Sequence, residues 1–446
     1  MNDVSVVVIS YNSARSMLGC LQSLSGSEGL RLTIHVIDNS PSDGPQAILE
    51  GPFPSVILTK SPVNLGFAGA ANLGIRLSRS DTVILMNPDV TVNRTTLRFL
   101  ADALQRDPKA AIAGCKLLYP DGKTIQHAGG TLSYPLALAN HYGYGEQDQG
   151  QYDELREVDY ATGAVLAVKK PAIDAIGWFD EGFYPAYFEE TDLCYRARQA
   201  GYRVLYVPQA VAIHHESETT GRDTFQYYHF YHRNRLRFVL KHYSDGQLWQ
   251  DFLPAEVQRL RNVGSPEELE ALQMACQDNL AVLEDKGSTF DHPSTVASLT
   301  RSPKRMELLR TLKDSVAASL ARRKEETGML DDRLLALNTR SQIVEPSFSS
   351  SVPLVGPIIV RFRELWNWVS TKWYVRPVIQ QQSEFNMLIV DSLRELSLTM
   401  RALEATAIDS DRTHVRLNRD FALLELRMRR LEARLAELQN RLEDPK

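Results

Sequence analysis

Apolar and polar positions along the first 118 residues follow two alternating patterns. Short apolar runs typical of buried strands alternate with segments whose apolar residues have helical spacing. The predicted strands are residues 4–9, 32–37, 56–59, 83–86 and 111–117, and the predicted helices are 14–24, a short one near Gln46, 67–77 and 95–105. Repeated β-α units with short connections predict an α/β fold with a mostly parallel, Rossmann-like sheet and flanking helices.

The fourth predicted strand ends at Asn87-Pro88-Asp89, because a proline cannot continue a central strand. A carboxylate is thus left at the carboxyl end of a strand, where open α/β sheets bind ligands. Asp89 is well placed to hold a hard cation on a phosphate. The alternative is an ordinary turn or helix-capping aspartate. Asp38 closes the second strand in the same way.

From about residue 119 to 245 the β-α alternation is lost. Loops rich in Gly and Tyr are followed by an acidic segment before a helix that ends at Gly201, by two predicted strands at 203–207 and 210–213, and by His214-His215. The first strand is not followed by Gly-x-Gly-x-x-Gly, and no Gly-Lys-Ser/Thr loop is present. Dinucleotide oxidoreductases and P-loop proteins therefore lose support.

Residues 246–344 are helical and charged in pattern. Ser265, Pro266 and Glu268 have the spacing of a helix start, with a capping residue, a proline at the first position and a glutamate at the third. This segment is predicted to be a helical extension without catalytic residues. Residues 345–357, with three prolines and a serine run, are predicted to be a linker.

Residues 358–380 predict an amphipathic helix. Its apolar face carries aliphatic and aromatic side chains, and its basic residues lie around that face: Ile358, Phe362, Leu365, Val369, Trp373, Trp366, Arg361, Arg363 and Lys372. A basic, tryptophan-rich helix suits the headgroup region of an anionic membrane. The alternative is a helix docked on the protein's own core.

Residues 381–446 are predicted to form a coiled coil. From Ile389 to Leu442 the mainly apolar positions are spaced alternately by four and three residues, which is the 3.5-residue repeat of such a structure. Oligomerisation is expected. Ser410 and His414 interrupt the apolar seam, and polar seam residues can specify register or strand number.

Composition limits the remaining possibilities. With 446 residues and 43% hydrophobic content, two or three domains are expected. The net charge of -5 argues against a general nucleic-acid binder. The four scattered cysteines fit a reducing cytoplasm. The sequence also suggests no signal peptide and no apolar run approaching the ~18 residues of a membrane span.

Six motifs occur in an order that resembles inverting glycosyltransferase family 2, and most of all its bacterial rhamnosyltransferase-type members. They are Val6–Asn12, Val36–Asn39, Asn64–Asn72, Asn87–Asp89, Phe188–Asp192 and His214. The resemblance covers residues 1–245. It implies a GT-A fold and transfer of a sugar from a nucleotide-sugar with a divalent metal.

The resemblance implies that Asp89 is a metal ligand, at the last position of the family's Asp-x-Asp motif. Asn87 stands at the first position, which leaves one charged ligand there. His214 would be a second ligand, with the adjacent His215 as the alternative. Alternation along the predicted strand favours His214, because Ile213 then points into the core. Imidazole slightly favours Mn²⁺ over Mg²⁺.

The general base implied by the resemblance is Glu190, the second acid of a pair, and Glu189 is the alternative. Such a base takes the proton from the acceptor hydroxyl as that oxygen attacks. Asp192 is assigned mainly to a structural role, because it can pair with Arg196 four residues later. All three acids also lie where a helix N-terminus stabilises negative charge.

The family's ligand-binding positions map onto further residues. Asp38 would accept from the imide of uracil or thymine, with Tyr11 stacked beside it. The full set implied for the nucleotide-sugar is Ser10, Tyr11, Asp38, Asn64, Gly66, Ala68, Asn72, Asn87 and Arg233. Helix packing is an alternative for Ala68, and helix anchoring for Arg233. The acceptor side would include Thr162, Gly163 and Trp178.

The expected activity is transfer of rhamnose from dTDP-rhamnose to a lipid-linked or growing cell-surface glycan. A galactofuranosyl- or mannosyl-transferase is the alternative within the same fold. A non-catalytic oligomeric scaffold is the alternative from another class, and the intact set Asp38, Asp89, Glu190 and His214 speaks against it. The expected location is the inner face of the cell membrane, held peripherally by the C-terminal segments.

Overall fold

The computed structural model describes residues 2–40, 49, 52–215, 224–263, 265–284 and 302–340, together with residues 358, 360–362, 364, 365, 382 and 386. The chain divides into two compact units. The first takes in all of the described chain up to Ala317, and the second runs from Ala318 to Leu417.

The first unit is built on a ten-stranded sheet and a separate two-stranded one. The strands, in chain order, are β1 Asn2–Ser10, β2 Leu30–Asp38, β3 Ile57–Lys60, β4 Thr82–Met86, β5 Val90–Val92, β6 Ala110–Leu118, β7 Ile125–His127, β8 Gly130–Ser133, β9 Leu138–His141, β10 Arg156–Glu157, β11 Val165–Lys169 and β12 Arg203–His214. β8 and β9 form the small sheet.

The large sheet is mixed rather than mostly parallel. Its order is β10-β12-β6-β11-β4-β1-β2-β3, with β5 added on β12 and β7 on β6. β3, β2, β1 and β4 are parallel, as predicted from the β-α units. β11 enters between β4 and β6 antiparallel to both, after the long insertion that follows β6. A strand that runs antiparallel to its neighbour needs no crossover helix before it. The β-α alternation is therefore lost in the sequence where the strand direction changes, between β6 and β11.

Helices cover both faces of the sheet and continue beyond it. They are α1 Ala14–Ser25, α2 Gly66–Leu77, α3 Thr96–Arg106, α4 Lys170–Ile176, α5 Glu189–Gln199, α6 Phe225–His242, α7 Asp245–Gln247, a π-helical turn Leu248–Phe252, α8 Leu253–Leu260, α9 Pro266–Glu284 and α10 Pro303–Arg340.

Alternation along β1 explains the two cores. Val6 and Val8 point to one face, where they pack with α1 and α3. Val7 and Ile9 point to the other, where they pack with α2 and α5. Successive strand residues face opposite sides of a sheet, so a strand buried on both faces reads as a continuous apolar run.

The predictions for the strands at 203–213 and for the helix start at Ser265 have different outcomes. The strands predicted at 203–207 and 210–213 form the single strand β12, with a register shift against β6 between Val207 and Val211. The predicted helix start at Ser265 is confirmed, since the Ser265 hydroxyl accepts the N–H of Glu268 at 3.3 Å and α9 begins at Pro266. The predicted helix near Gln46 lies outside the described residues.

Most of the C-terminal predictions also lie outside the described residues, including the linker at 345–357 and the coiled coil at 381–446. Within 358–380, the side chains of Ile358, Phe362 and Leu365 are exposed at 66%, 66% and 63%. In the part of the chain that the structure describes, no helix combines the length and apolarity needed to cross a bilayer.

Candidate active site

The predicted site residues lie around the carboxyl edge of the parallel strands. Ser10 and Asp38, the last residues of β1 and β2, are register partners, and β4 leads directly into Asn87. The backbone N–H of Asn87 donates to the carbonyl of Ala164 just before β11, at 3.0 Å. The ends of three parallel strands and the start of an antiparallel one therefore meet at one edge.

Asp89 and His214 lie side by side at this edge. Antiparallel pairing of β5 with β12 sets His214 opposite Val90, one residue after Asp89. The Nε2 atom of His214 is 3.3 Å from Oδ1 of Asp89, and the two side chains are 13% and 10% exposed. Residues 125 positions apart in sequence are thus brought together by strand pairing.

The orientation of His214 is set by a residue that the sequence did not single out. Nδ1 of His214 lies 2.7 Å from Oε1 of Gln126, whose side chain is almost fully buried on β7. The available signal was a polar residue inside the short strand-like run Thr124-Ile125-Gln126-His127. Buried polar side chains need hydrogen-bond partners, so such a residue in a core strand points to a neighbouring polar site.

His215 has a different environment. Its backbone N–H donates to the carbonyl of Asp89 at 2.9 Å, while its exposed ring approaches the Thr91 hydroxyl at 3.4 Å. The geometry therefore favours His214 over His215 as the imidazole facing Asp89.

The Asp89–His214 pair fits a divalent cation. Two neighbouring donors in an octahedral shell with bonds of about 2.1 Å lie about 3 Å apart, close to the distance between these side chains. Across the described ranges, no three His, Cys, Asp or Glu side chains form a metal-binding group. A cation here would have two side-chain ligands, with phosphate oxygens and water completing its coordination.

Glu189 and Glu190 open helix α5 from an unusual backbone turn. Tyr187 and Phe188, just before the helix, have φ angles of 76° and 70°, a left-handed conformation that is costly for side chains of this size. Such conformations persist only when the surrounding structure holds them, and they cluster at functional sites. This turn therefore sets the position of both glutamates at the start of α5.

The two glutamates differ in exposure. Glu189 is buried, at 4% exposure, and burial followed by the neighbouring Glu190 charge raises its pKa well above the usual range. Glu190 is partly exposed. Burial raises the pKa of Glu190 to about 7, while hydrogen bonds from its own N–H and that of Thr191 oppose the rise. A carboxylate with a pKa near 7 that solvent can reach has the properties of a general base, which favours Glu190 over Glu189.

Asp192, two residues on, is fully buried in an ion-pair cluster. The expected contact with Arg196 is present, with Nε donating to Oδ2 at 2.8 Å. Lys241 and His242 at the end of α6 reach Oδ1, both at 2.7 Å. Despite burial, the positive charge of Arg196, with the hydrogen bond from His242, lowers the pKa of Asp192 far below its usual value. These contacts fit the structural role expected for Asp192.

Helix α6 also holds the loop that precedes the glutamates. The side-chain N–H groups of Asn234 donate to three carbonyls, those of Phe183, Ala186 and Tyr187, at 3.1, 2.7 and 3.0 Å. The guanidinium of Arg233 donates to the carbonyl of Tyr184. This contact corresponds to the anchoring alternative for Arg233 rather than to a diphosphate contact.

The predicted nucleotide side of the site is tied together by short polar contacts. Oδ1 of Asp38, which is buried, accepts the N–H of Ser40 at 3.1 Å. The Ser40 hydroxyl accepts the N–H of Asn12 at 2.8 Å, which fixes the turn after β1 where Tyr11 is 39% exposed. Ser10 is fully buried below this turn. The turn that contains Tyr11 therefore lies beside the end of β2.

The turn into α2 has its own internal hydrogen bonds. Asn39, which was not among the predicted site residues, donates to Oδ1 of Asn64 at 2.9 Å and accepts the N–H of Leu65 at 2.6 Å. Oδ1 of Asn64 also accepts the N–H of Gly66 at 2.8 Å. Gly66 has a φ of +67°, and a Cβ there would lie 3.0 Å from the carbonyl of Pro185. Glycine is therefore needed for α2 to approach the loop before α5.

Two predicted nucleotide-sugar residues on α2 are turned inward. Ala68 is buried in the core on this face of the sheet. The amide of Asn72 donates to the carbonyl of Phe179 and to Glu181, and accepts the N–H of Phe179 at 3.0 Å. Both residues fasten α2 to its neighbours in this structure.

The predicted acceptor residues are separated. Thr162 and Gly163 are partly exposed just before β11, where Gly163 packs against Phe67. Trp178 instead donates to Asp174 at 2.8 Å, and its ring is covered by Arg76 from the last turn of α2. Arg76 lies at the opposite end of α2 from Gly66 and Ala68, while Asn72 in the middle of the helix contacts Phe179, the residue after Trp178.

Tyr160 links the metal-site side to the glutamates. Burial, and then the neighbouring Glu190, raises the pKa of Tyr160 well above its usual value. The Tyr160 ring lies 6.0 Å from that of His141, whose Nδ1 is 3.1 Å from the backbone carbonyl of Gln126. Tyr160 is therefore close enough to Glu190 for its charge to matter, and its ring packs beside the His141 that contacts Gln126.

Comparison with known proteins identifies the family. Residues 5–169 match the family described as Glycosyl transferase family 2. The N-acetylglucosaminyl-diphospho-decaprenol L-rhamnosyltransferase of Mycobacterium tuberculosis is 30% identical over 267 residues, covering 55% of this chain and 86% of that protein. The fold, the edge site and these matches define a glycosyltransferase. More narrowly, the chain belongs to glycosyl transferase family 2.

Two further proteins are similar at lower identity. The low-salt glycan biosynthesis hexosyltransferase Agl10 of Haloferax volcanii is 25% identical over 237 residues, covering 51% of this chain and 73% of that protein. A crystal structure of GalNAc-T7 with UDP, GalNAc and Mn2+ aligns with 62% of this chain and 54% of its own, with a TM-score of 0.45 and 15% identity.

Proposed function

We propose that this glycosyltransferase moves rhamnose from dTDP-rhamnose to a lipid-linked or growing cell-surface glycan, with inversion at the anomeric carbon and with a divalent metal. The observation that carries the proposal is the Asp89–His214 pair, 3.3 Å apart at the sheet edge, in a site that also contains a glutamate with a pKa near 7. The first group suits a leaving diphosphate, and the second suits an attacking hydroxyl.

Glu190 would act as the general base. Its carboxylate takes the proton from the acceptor hydroxyl, whose oxygen attacks the anomeric carbon from the face opposite the leaving nucleoside diphosphate. The new C–O bond forms as the bond to the diphosphate breaks, and the electron pair of that bond leaves with the phosphate oxygen. The products are the glycoside, the nucleoside diphosphate and a protonated Glu190, so charge and atoms balance.

Asp89 and His214 would hold the cation, Mn²⁺ or Mg²⁺, which when bound neutralises the charge that develops on the diphosphate. Asn87 would contribute a neutral oxygen at the first position of the Asp-x-Asp motif. Asp38 and Tyr11 would bind the base of the nucleotide, with Thr162 and Gly163 on the acceptor side. This division places the donor over the parallel strands and the acceptor near α5.

The choice of sugar and acceptor rests on the Mycobacterium tuberculosis relative. Its name gives L-rhamnose as the sugar and a decaprenyl-diphosphate-linked N-acetylglucosamine as the acceptor. A galactofuranosyl- or mannosyl-transferase of the same fold is the second candidate, because the Haloferax volcanii relative is described only as a hexosyltransferase. Pockets that bind different hexoses differ from one another in only a few contacts with the sugar.

The C-terminal segments would place the enzyme at its acceptor. Ile358, Phe362 and Leu365 are spaced to share one helical face and are strongly exposed, as expected for a helix that lies in the headgroup region of a membrane. The heptad pattern at 381–446 would make the enzyme an oligomer through a coiled coil. A peripheral oligomer on the cytoplasmic face would meet a lipid-linked acceptor repeatedly.

The test is nucleotide-sugar turnover by the full chain. Purified protein is incubated with dTDP-, UDP- and GDP-sugars and Mn²⁺, and release of the nucleoside diphosphate is measured. We expect turnover of dTDP-rhamnose above the others, and loss of metal-dependent turnover in Asp89→Ala with folding intact by circular dichroism. Asp3→Ala, at an exposed ion pair with Arg31, is the matched control.

Three results would count against the proposal. Preference for a GDP- or UDP-sugar would favour the second candidate. Full turnover in Asp89→Ala would remove the metal role from Asp89, and no turnover of any nucleotide-sugar by the wild-type chain would favour a non-catalytic scaffold.

A further inference from the structure

The contact between Gln126 and His214 bears on which nitrogen of the imidazole can bind a cation. A neutral imidazole carries one proton, on either Nδ1 or Nε2. The amide oxygen Oε1 of Gln126 has no hydrogen to give, so at 2.7 Å from Nδ1 it must accept one. The proton is then on Nδ1, and Nε2 presents a lone pair.

That lone pair faces a carboxylate. Nε2 of His214 is 3.3 Å from Oδ1 of Asp89. With the proton on Nδ1, both of these atoms have a lone pair available, as two ligands of one divalent cation must. Binding of a cation through Nε2 requires this tautomer of His214.

Gln126 is held firmly enough to impose this choice. It is 3% exposed on β7, between Ile125 and His127, which are 0% and 1% exposed. Both of those neighbours pair with β6, and the backbone carbonyl of Gln126 lies 3.1 Å from Nδ1 of His141. Strand pairing and packing on both sides therefore keep the Gln126 amide facing His214.

From these contacts we infer that Gln126 is a positioning residue, which fixes His214 in the Nδ1–H tautomer and so presents Nε2, together with Asp89, to a divalent cation. This inference rests on the metal-dependent transfer proposed above and adds a residue to it. Residues that orient a metal-binding histidine through its other nitrogen commonly affect metal affinity by about 10- to 100-fold.

The experiment uses two readouts on the full chain. The first is ¹⁵N NMR of protein labelled at histidine, without metal, which reports which nitrogen of each ring carries the proton; His214→Asn identifies the His214 signal. The second is titration with Mn²⁺ followed by electron paramagnetic resonance. Gln126→Met removes the acceptor at similar volume, Gln126→Glu retains an acceptor, and Gln22→Met is an exposed control on α1.

We expect the wild-type chain to show the Nδ1–H tautomer at His214. Gln126→Met should lose this preference and bind Mn²⁺ about 10- to 100-fold more weakly. Gln126→Glu should keep both the Nδ1–H tautomer and the Mn²⁺ affinity, which a merely structural role would not predict. Gln22→Met should match the wild type. Circular dichroism checks that each variant is folded.

Three results would overturn the inference. An Nε2–H tautomer in the wild-type chain would mean that the Gln126 amide presents its N–H₂ group, and that His214 simply donates to Asp89. Unchanged Mn²⁺ affinity in Gln126→Met, with binding in the wild type, would remove only the role of Gln126. Sugar transfer by a wild-type chain that binds no Mn²⁺ would overturn the metal requirement of the proposed function as well.

Discussion

The two sides of the first turn of α5 carry acids in opposite environments. On one side, Glu190 interacts with Glu189, Tyr160 and Cys194, none of which supplies positive charge, and its pKa is raised to about 7. On the other, Asp192 is surrounded by cationic side chains, and its pKa is strongly lowered. Two residues along a helix turn through about 200°, so the two acids face away from each other.

This contrast shows that the helix N-terminus does not decide the state of these acids. Both lie in the same first turn and share the same backbone dipole. The difference comes from the cations around Asp192, first Arg196 on α5 itself and then His242 and Lys241 from α6. The paired carboxylate of Asp192 holds the helix in place. The carboxylate of Glu190, beside acidic and uncharged neighbours, keeps a pKa suited to proton transfer.

The largest expected effect is on the reactive side. Glu190→Gln should lower kcat by roughly 100- to 10,000-fold, because an amide cannot accept the acceptor's proton. Donor binding, measured by calorimetry with the nucleotide-sugar, should be retained. Glu154→Gln, at an exposed position, is the control. An active Glu190→Gln enzyme would move the base to Glu189.

The next effect is on the paired side. Asp192→Asn should destabilise the protein by about 3–5 kcal/mol, because it leaves buried cations without their carboxylate. Urea unfolding of the variant measures this change. If Asp192→Asn instead abolished transfer at unchanged stability, the structural assignment of Asp192 would be wrong.

The smallest effect is the pH dependence. Only the deprotonated form of Glu190 can act as a base, so activity should rise with pH through about 7. A pKa of about 7 gives an increase of about tenfold in kcat between pH 6 and pH 8. Tyr160 and Cys194 stay protonated over this range, because burial raises the pKa of both. A rate already constant from pH 5 upward would contradict the raised pKa.

The sequence predicts the parts of this site that depend on local pattern. The strands β1 to β4 and β6 and the helices α1 to α3 follow from apolar periodicity, and the Asp192–Arg196 contact follows from helical spacing. The short strand β5, which pairs with β12 beside Asp89, was not predicted. Alternation along the strand also favoured His214 over His215, on the premise that Ile213 points into the core, whereas the core residue in the structure is Ala212. Each of these inferences involves residues close together in the chain.

Long-range pairing explains what the sequence did not reveal. Gln126 reaches His214 only because β7 and β12 both pair with β6, and these residues are 88 positions apart. Lys241 and His242 meet Asp192 because α6 packs beside α5, about 50 positions later. The antiparallel direction of β11 likewise depends on how the chain returns after a long insertion. None of these contacts has a local pattern from which it could be predicted.

The contact of Asn234 with the loop before α5 has a consequence for dynamics. Its amide ties residues 183–187 to the middle of α6 through three carbonyls. The loop cannot open without breaking these bonds, so loop and helix form one cooperative unit for hydrogen exchange. The segment that carries Glu190 should therefore be protected from solvent exchange like the helix, rather than opening on its own as a surface loop would.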